Sequence, residues 1–455
     1  MKMQATSHDL IIRGDVVLSD RILHDGWIAI TGGTVVAVGT GEAPPARDCH
    51  DATGDYVIPG AVDGQTHATS YGGLPGIEST TRSACAGGIT TLVDMPYDNP
   101  APLNNLEKFN AKKKAIGQVS YCDIALYGTV LPGQGTADMR PLAEAGVVAF
   151  KISSFQSDPV RFPRLPASDM LEILREAKAI NLPVGLHNED QEIVEATIAS
   201  LKARGLTTPE WHDPSRPIAA EIAATAAFLA LGADTGAHVH IVHASCKAVL
   251  DLVAHYRDMG AQATAEVCCH YLHFEPAQDM QRLGARIKVS PPIRTHMRET
   301  MWDEFKKGRI AFISSDHSSW PLSRKLTDSI FDAGAGIPGL ETLVPSFYTD
   351  LQGHVETPVR ALVDYLCERP ARFFGIWPRK GQIAPGADAD IVILKKGPVR
   401  FDEAGTHDDL NWSPYHGETF AVSIAATYVR GTRVWDGENI TAKPGTGTYI
   451  PKNVA

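Results

Sequence analysis

Several polar residues stand at the ends of short apolar runs, and their types suit the chemistry of a bound divalent ion. The run 56–62 leads into Asp63-Gly64-Gln65-Thr66-His67. The runs 147–151, 184–187 and 239–243 end in Lys151, His187 and His243, and Asp316 follows the run 310–315. Gln65 and His67 are two apart, so on an extended strand they face the same side. Imidazoles, a carboxylate and a lysine around one rim are nitrogen and oxygen donors for zinc or a similar ion. Each residue alone has a plainer reading. A lone histidine at a strand end is usually a hydrogen-bonded rim or core residue. Lys151 could be an ion-pair partner with a buried stem, and Asp316 or Asp63 could cap a following helix. The joint reading gains from placement, because the polar groups recur at successive strand ends.

Such a set needs a frame that brings every strand end to one place. Strand candidates lie at 56–62, 90–94, 124–130, 147–151, 184–187, 239–243, 264–268 and 310–315, with helix-compatible runs at 169–179, 219–231 and 247–258. Short apolar strands alternating with helices predict an α/β fold, a parallel (β/α)8 barrel of the TIM type, whose active residues project from the C-terminal strand ends. An open doubly wound sheet shares the same periodicity and stays as the alternative. At the start, Leu10-Ile11-Ile12, Gly14-Asp15, Val16-Val17-Leu18 and then Trp27-Ile28-Ala29-Ile30, Gly32-Gly33, Val35-Val36-Ala37-Val38 read as strands joined by hairpin turns. Ile391-Val392-Ile393-Leu394 and the stretch 425–435 read the same way. Both termini are therefore expected to form one small antiparallel domain, a β-sandwich of 1–55 and 379–455, with the barrel, 56–378, inserted between them.

The 455 residues, 44% of them hydrophobic, allow a large core and exceed one minimal domain. A formal net charge of −11 disfavours nucleic acid and anionic membrane as partners and leaves a small molecule. The 7 cysteines are odd in number and show no Cys-x-x-Cys spacing, so reduced thiols in a cytoplasmic enzyme are expected. The opening Met1-Lys2-Met3-Gln4-Ala5-Thr6-Ser7-His8-Asp9 lacks the apolar stretch of a leader, and no run is read as long enough to span a membrane. His270, His273 and His317 are expected to do no more than orient ligands. Gly334-Ala335-Gly336-Ile337-Pro338-Gly339 lacks the Lys-Ser or Lys-Thr ending of a phosphate loop and reads as a loop over the pocket.

Taken in order, these segments resemble the amidohydrolase superfamily, and within it the hydantoinase, dihydropyrimidinase and allantoinase group, with allantoinase-like members the best match. The resemblance rests on Val57-Ile58-Pro59-Gly60-Ala61-Val62-Asp63 with Gln65 and His67, on Gly87-Gly88-Ile89-Thr90-Thr91 with Met95-Pro96, and on Phe150-Lys151. It continues through His187-Asn188-Glu189, His243-Ala244-Ser245, Ser290-Pro291-Pro292-Ile293-Arg294, Ser315-Asp316-His317-Ser318 and Ser413-Pro414-Tyr415. Pro370-Ala371, Phe374-Gly375, Gly381 and Gly386-Ala387-Asp388-Ala389-Asp390 resemble the return to the sheet domain. The resemblance implies a metal-dependent hydrolase of cyclic amides. It implies a carbamylated Lys151 bridging two ions, zinc by preference, with manganese or cobalt as substitutes. One ion would use His67 and Asp316, the other His187 and His243. A hydroxide between them would attack the amide carbon, and Asp316 would serve as general base and then acid. Ser290, Gly336 and Gly339 would bind the ring's amide edge, and Ile152-Ser153-Ser154-Phe155, with Ser154 as its polar contact, would line the substituent pocket. Some hydantoinases hold the oxyanion with a tyrosine in this region. None follows Lys151 immediately, which favours allantoinase-like chemistry. The group forms dimers and tetramers, so a homo-oligomer is expected.

The sequence departs from the family at one ligand. The first motif there is His-x-His, and here its first member is Gln65, a neutral amide and a poorer zinc ligand than imidazole. Three outcomes follow: a weak two-ion site, a single ion, or an inactive scaffold. A hydrolase of unrelated substrate with one ion is the remaining reading.

Overall fold

The computed structural model describes residues 7–453. Residues 1–6, part of the segment read above as lacking a leader, lie outside them. In chain order the strands are β1 (His8–Val17), β2 (Ile22–Thr31), β3 (Thr34–Thr40), β4 (Ala46–Pro59), β5 (Ala61–His67), β6 (Ile89–Asp94), β7 (Asp123–Gly128), β8 (Ala149–Ser153) and β9 (Val184–His187). They continue as β10 (Val239–Ile241), β11 (Ala263–Ala265), β12 (Val267–Cys268), β13 (Ile313–Ser314), β14 (His317–Ser318), β15 (Ile391–Arg400), β16 (Thr419–Val429) and β17 (Thr432–Trp435).

Both termini meet in one sheet, in the order β17-β16-β15-β4-β1-β2-β3. Its alternating apolar residues, among them Ile12, Ile28, Ile30, Val57, Ile391 and Ile393, pack into a core of their own. Gly32-Gly33 turns β2 into β3 with φ of 58° and 78°, the left-handed pair a tight hairpin requires. Two expectations are corrected. β1 and β4 pair in parallel, so the sheet is mixed rather than wholly antiparallel. The stretch read as two strands hinged at Gly14-Asp15 is the single strand β1, with a register shift between Gly14 and Val16 that absorbs the irregularity.

The barrel strands run in parallel in the order β11-β10-β9-β8-β7-β6-β5-β14, and β12 pairs with β13 across the remaining gap. Closure through β14 and β5 selects the barrel over the open sheet. The run 56–62 is not one strand. It splits at Gly60: Pro59 ends β4 in the terminal sheet, and Ala61 starts β5 in the barrel. The seventh and eighth barrel strands are also interrupted. Glu266 separates β11 from β12, and Ser315-Asp316 separates β13 from β14. At each break a polar side chain leaves the regular ladder.

Helices Ala167–Ala179, Ile218–Thr235 and Lys247–Asp258 pack around the barrel by their apolar faces. The segment Pro209–Thr235 does meet the length and hydropathy of a membrane span, contrary to expectation. Here it carries buried Glu221, which accepts hydrogen bonds from Arg294 and from Ser245 Oγ on the barrel.

Candidate active site

Along β5, residues 63, 65 and 67 alternate onto one side. Asp63 caps no helix. Its carboxylate accepts from the Ser315 backbone N–H at 2.8 Å and from the hydroxyls of Ser315 and Thr66 at 2.5 Å. Burial pushes Asp63 up to about 6 despite those bonds. The carboxylate thus fastens β5 to the turn that carries Asp316, whose backbone sits at a φ of 49°. Gln65 Nε2 donates to Asp316 Oδ1 at 2.8 Å, and His67 Nε2 lies 3.4 Å from the same oxygen. His67 Nδ1 is 3.1 Å from Ser70 Oγ. Burial would raise the Asp316 carboxyl, but the His67 bond and the neighbouring imidazoles outweigh it and hold the group well below the usual range. Asp316 is therefore a carboxylate, able to take a proton.

Across the mouth, His187 Nδ1 faces His243 Nε2 at 3.0 Å. His243 follows β10 with a φ of 42°, a second left-handed residue that ends the ladder and turns a side chain inward. Burial, then the Lys151 charge, push His243 well below the usual imidazole range, so the ring is neutral and offers a lone pair. His187 Nε2 is 2.9 Å from Glu189 Oε2, and Arg216 pairs with the same carboxylate oxygen. Burial opposes the charge on Glu189, yet Arg216 and His187 together hold it below the usual carboxylate range. Glu189 orients the His187 ring, as a carboxylate commonly does behind a metal-bound histidine.

Lys151, on β8, lines the same cavity as both pairs and is buried. Burial lowers its amine to about 8, against the pull of Asp316 and Glu266. A lysine this close to neutral carries a nucleophilic amine that carbon dioxide can modify.

Do these residues fit an ion? Among the described residues no three His, Cys, Asp or Glu side chains form a ready-made cage. They come instead as two pairs. Two ligands on one tetrahedral zinc, with bonds of about 2.0–2.1 Å, stand about 3.3 Å apart. The His187–His243 and His67–Asp316 separations, 3.0 and 3.4 Å, bracket that value. A carbamate on Lys151 would add an oxygen donor beside the all-nitrogen His187–His243 pair and a second one beside the His67–Asp316 pair. The donor set fits, with Gln65 as the weak member.

A cavity of about 340 Å³ opens over these groups. His67, Lys151, His187, His243 and Asp316 all line it, as do Ser290 and Gly336. The buried Ser290 hydroxyl has no partner. Gly336 has a φ of 112°, and a Cβ there would lie 2.6 Å from Ser318, so only glycine lets this loop pass; its N–H is taken by the Lys288 carbonyl. Ser154 and Gly339 are not in the lining. Ser154 Oγ donates to the carbonyls of His187 and Glu189, and Gly339 N donates to His317 Nδ1. Gln65 lies beneath the cavity floor, reaching it through Asp316. His273 is away from the mouth, paired with Asp350 at 2.9 Å. His270 and His317 are buried, and burial lowers them to about 4 and about 3.

Sequence reasoning missed several residues. Tyr97 lines the cavity, set edge-on to His67 and packed beneath Arg161, and burial raises its hydroxyl to about 12. Arg161 and Arg324 bring positive charge to the lining, while burial, with the Arg216 charge, lowers the Lys288 amine to about 7. Glu266 is buried with neither carboxylate oxygen bonded, and burial raises it to about 8 against the Lys151 charge. A charged residue inside the apolar run 264–268 was the one available signal for it.

The model of the amidohydrolase family matches residues 56–434. Full-length relatives agree. An allantoinase of Deinococcus radiodurans is 31% identical over 451 residues, covering 98% of this chain and all of that one. An L-hydantoinase of Paenarthrobacter aurescens is 30% identical, covering 98% of each chain. Among solved structures, the L-hydantoinase (dihydropyrimidinase) of Arthrobacter aurescens superposes with a TM-score of 0.92 at 30% identity, over 98% of this chain and all of that one. The D-hydantoinase of a Thermus species follows at 0.89 and 27%, over 97% and 99%. Fold, strand-end residues and full-length similarity coincide, and the chain belongs to the amidohydrolase family, in its cyclic amidohydrolase group.

Proposed function

We propose that this chain hydrolyses the ring of a cyclic amide or ureide, of allantoin or hydantoin type. The observation that carries this reading is the convergence of His67, Lys151, His187, His243 and Asp316 on one cavity large enough for such a ring. Divalent metal held by His187 and His243 with a carbamylated Lys151 would supply an acidified water and a polarised carbonyl, and His67 and Asp316 are the donors available to a second ion. Asp316 takes the proton from the attacking water and returns it to the leaving ring nitrogen. The unpartnered Ser290 hydroxyl binds the ring's amide edge. The Tyr97 hydroxyl, in the same cavity, is placed to donate to the carbonyl oxygen as negative charge gathers on it. Relatives named for allantoin and for hydantoin match this chain almost equally, so both rings belong in the test.

Ring opening of allantoin, hydantoin, dihydrouracil and a cyclic imide, each with zinc, manganese or cobalt and bicarbonate, tests the proposal. Turnover of at least one ureide, abolished by chelation, is expected. No turnover of any ring with any metal would favour a non-catalytic barrel.

A further inference from the structure

The two donor pairs at the barrel mouth are built unequally. The His187–His243 pair has two imidazoles, with Lys151 beside it in the same cavity. The His67–Asp316 pair has Gln65 for its third member, and Gln65 is fully buried. The Gln65 amide donates Nε2–H to Asp316 Oδ1, while its Oε1 has no partner. Charge dictates that orientation: turned over, the amide would set its carbonyl oxygen against a carboxylate oxygen, acceptor against acceptor. To serve as an ion ligand, Gln65 must present Oε1 instead, which means giving up the bond to Asp316. An imidazole can also donate to Asp316, but loss of one proton exposes a lone pair on the same nitrogen without the ring turning over, and it is the stronger ligand for zinc in any case. Without an ion in this half, the amide N–H still gives Asp316 a positive partner that fixes its carboxylate.

Within the proposed hydrolase reading, we infer that this chain retains one divalent ion, in the His187–His243–Lys151 half, and that Gln65 is a positioning residue that orients Asp316 by an amide N–H in place of a second ion. The chain would then be a one-ion variant on a scaffold with room for two. Its general base is aimed by a neutral amide.

The test is metal content of the full-length chain, loaded with zinc or with manganese in bicarbonate, dialysed against a weak chelator and measured by mass spectrometry. The expected result is about one ion per chain. His187→Ala falls towards none, and Gln65→His rises towards two. Gln65→Glu, a carboxylate of the same length, is the second variant and rises likewise; thermal melts show which variant is folded. Gln65→Leu separates positioning from binding. It keeps the single ion and leaves KM in place, while kcat falls about tenfold. A wild-type chain that retains two zinc or two manganese ions overturns the inference, as does a folded Gln65→His that stays at one, or a Gln65→Leu with unchanged kcat. These outcomes are distinct from failure of the proposed function. Two retained ions with ring opening would sink the one-ion site alone. One retained ion without any ring opening would sink the hydrolase and leave the ion site standing.

Discussion

Two buried polar clusters sit at opposite ends of the barrel, and only one of them is finished. At the start of β7, fully buried Lys380 meets Asp123 at 2.5 Å, Asp390 at 2.7 Å and Asp388 at 2.9 Å, and Arg430 closes on Asp123 from the other side. Burial opposes the charge on Asp123, yet Lys380 and Arg430 hold it below the usual carboxylate range. At the mouth, Gln65 Oε1, His243 Nδ1, Ser290 Oγ and His317 Nε2 are buried without partners. A native interior satisfies nearly all its polar groups. A cluster saturated by its own chain joins the sheet domain to the barrel. A cluster left open beside a cavity is built to receive something else.

The contrast can be broken by substitutions, the largest effect first. Asp316→Asn keeps the shape of the open cluster but cannot accept a proton. Ring opening should fall by about 10²–10⁴-fold, with the melting temperature nearly unchanged. A large loss of stability with little loss of rate would reverse the assignment of the two clusters. Lys380→Met should do the opposite. It leaves Asp123 and Asp390 buried without their lysine, at a cost of about 3–5 kcal/mol in urea unfolding, while the rate per folded molecule stays the same.

Glu189→Gln tests the support behind the open cluster. It removes the charge that faces both His187 and Arg216, and ion retention in a chelator competition should weaken about 10- to 100-fold. Unchanged retention would make Glu189 a partner of Arg216 only.

Asp408 sharpens the comparison as a buried carboxyl with no cation against it. Burial raises it from 3.8 to about 6. Because the folded value lies above the unfolded one, its contribution to stability is full below about pH 4 and is lost as pH rises towards 6. Asp408→Asn stays neutral and should flatten that slope, gaining on the order of 1–2 kcal/mol at pH 7. A slope that survives in the variant would assign the titration to another group.

Residues whose roles depend on spacing along one strand were legible before any coordinates. Gln65 and His67 share a face of β5, and His187, His243 and Asp316 sit where parallel strands end. Roles that depend on a partner far along the chain were not. Asp63 reads as a helix cap until Ser315 arrives 252 residues later, and Ser154 reads as a substrate contact until the His187 carbonyl claims its hydroxyl. Glu266, marked in the sequence only as a charged type within an apolar run, becomes a buried carboxyl under the Lys151 charge only when the barrel closes.

The amino-acid sequence by itself determined the alternation of strands and helices, the chemical types at the strand ends and the replacement of one imidazole by an amide. Those are local properties, set by the period of an extended or helical backbone and by side-chain chemistry. Only the tertiary structure decided that β5 and β14 close the barrel, that Arg216 stands behind Glu189 and that the Gln65 amide gives its N–H to Asp316. Each of those is a contact between distant segments. Its energy exists only once both partners have been taken out of water and brought within hydrogen-bond reach.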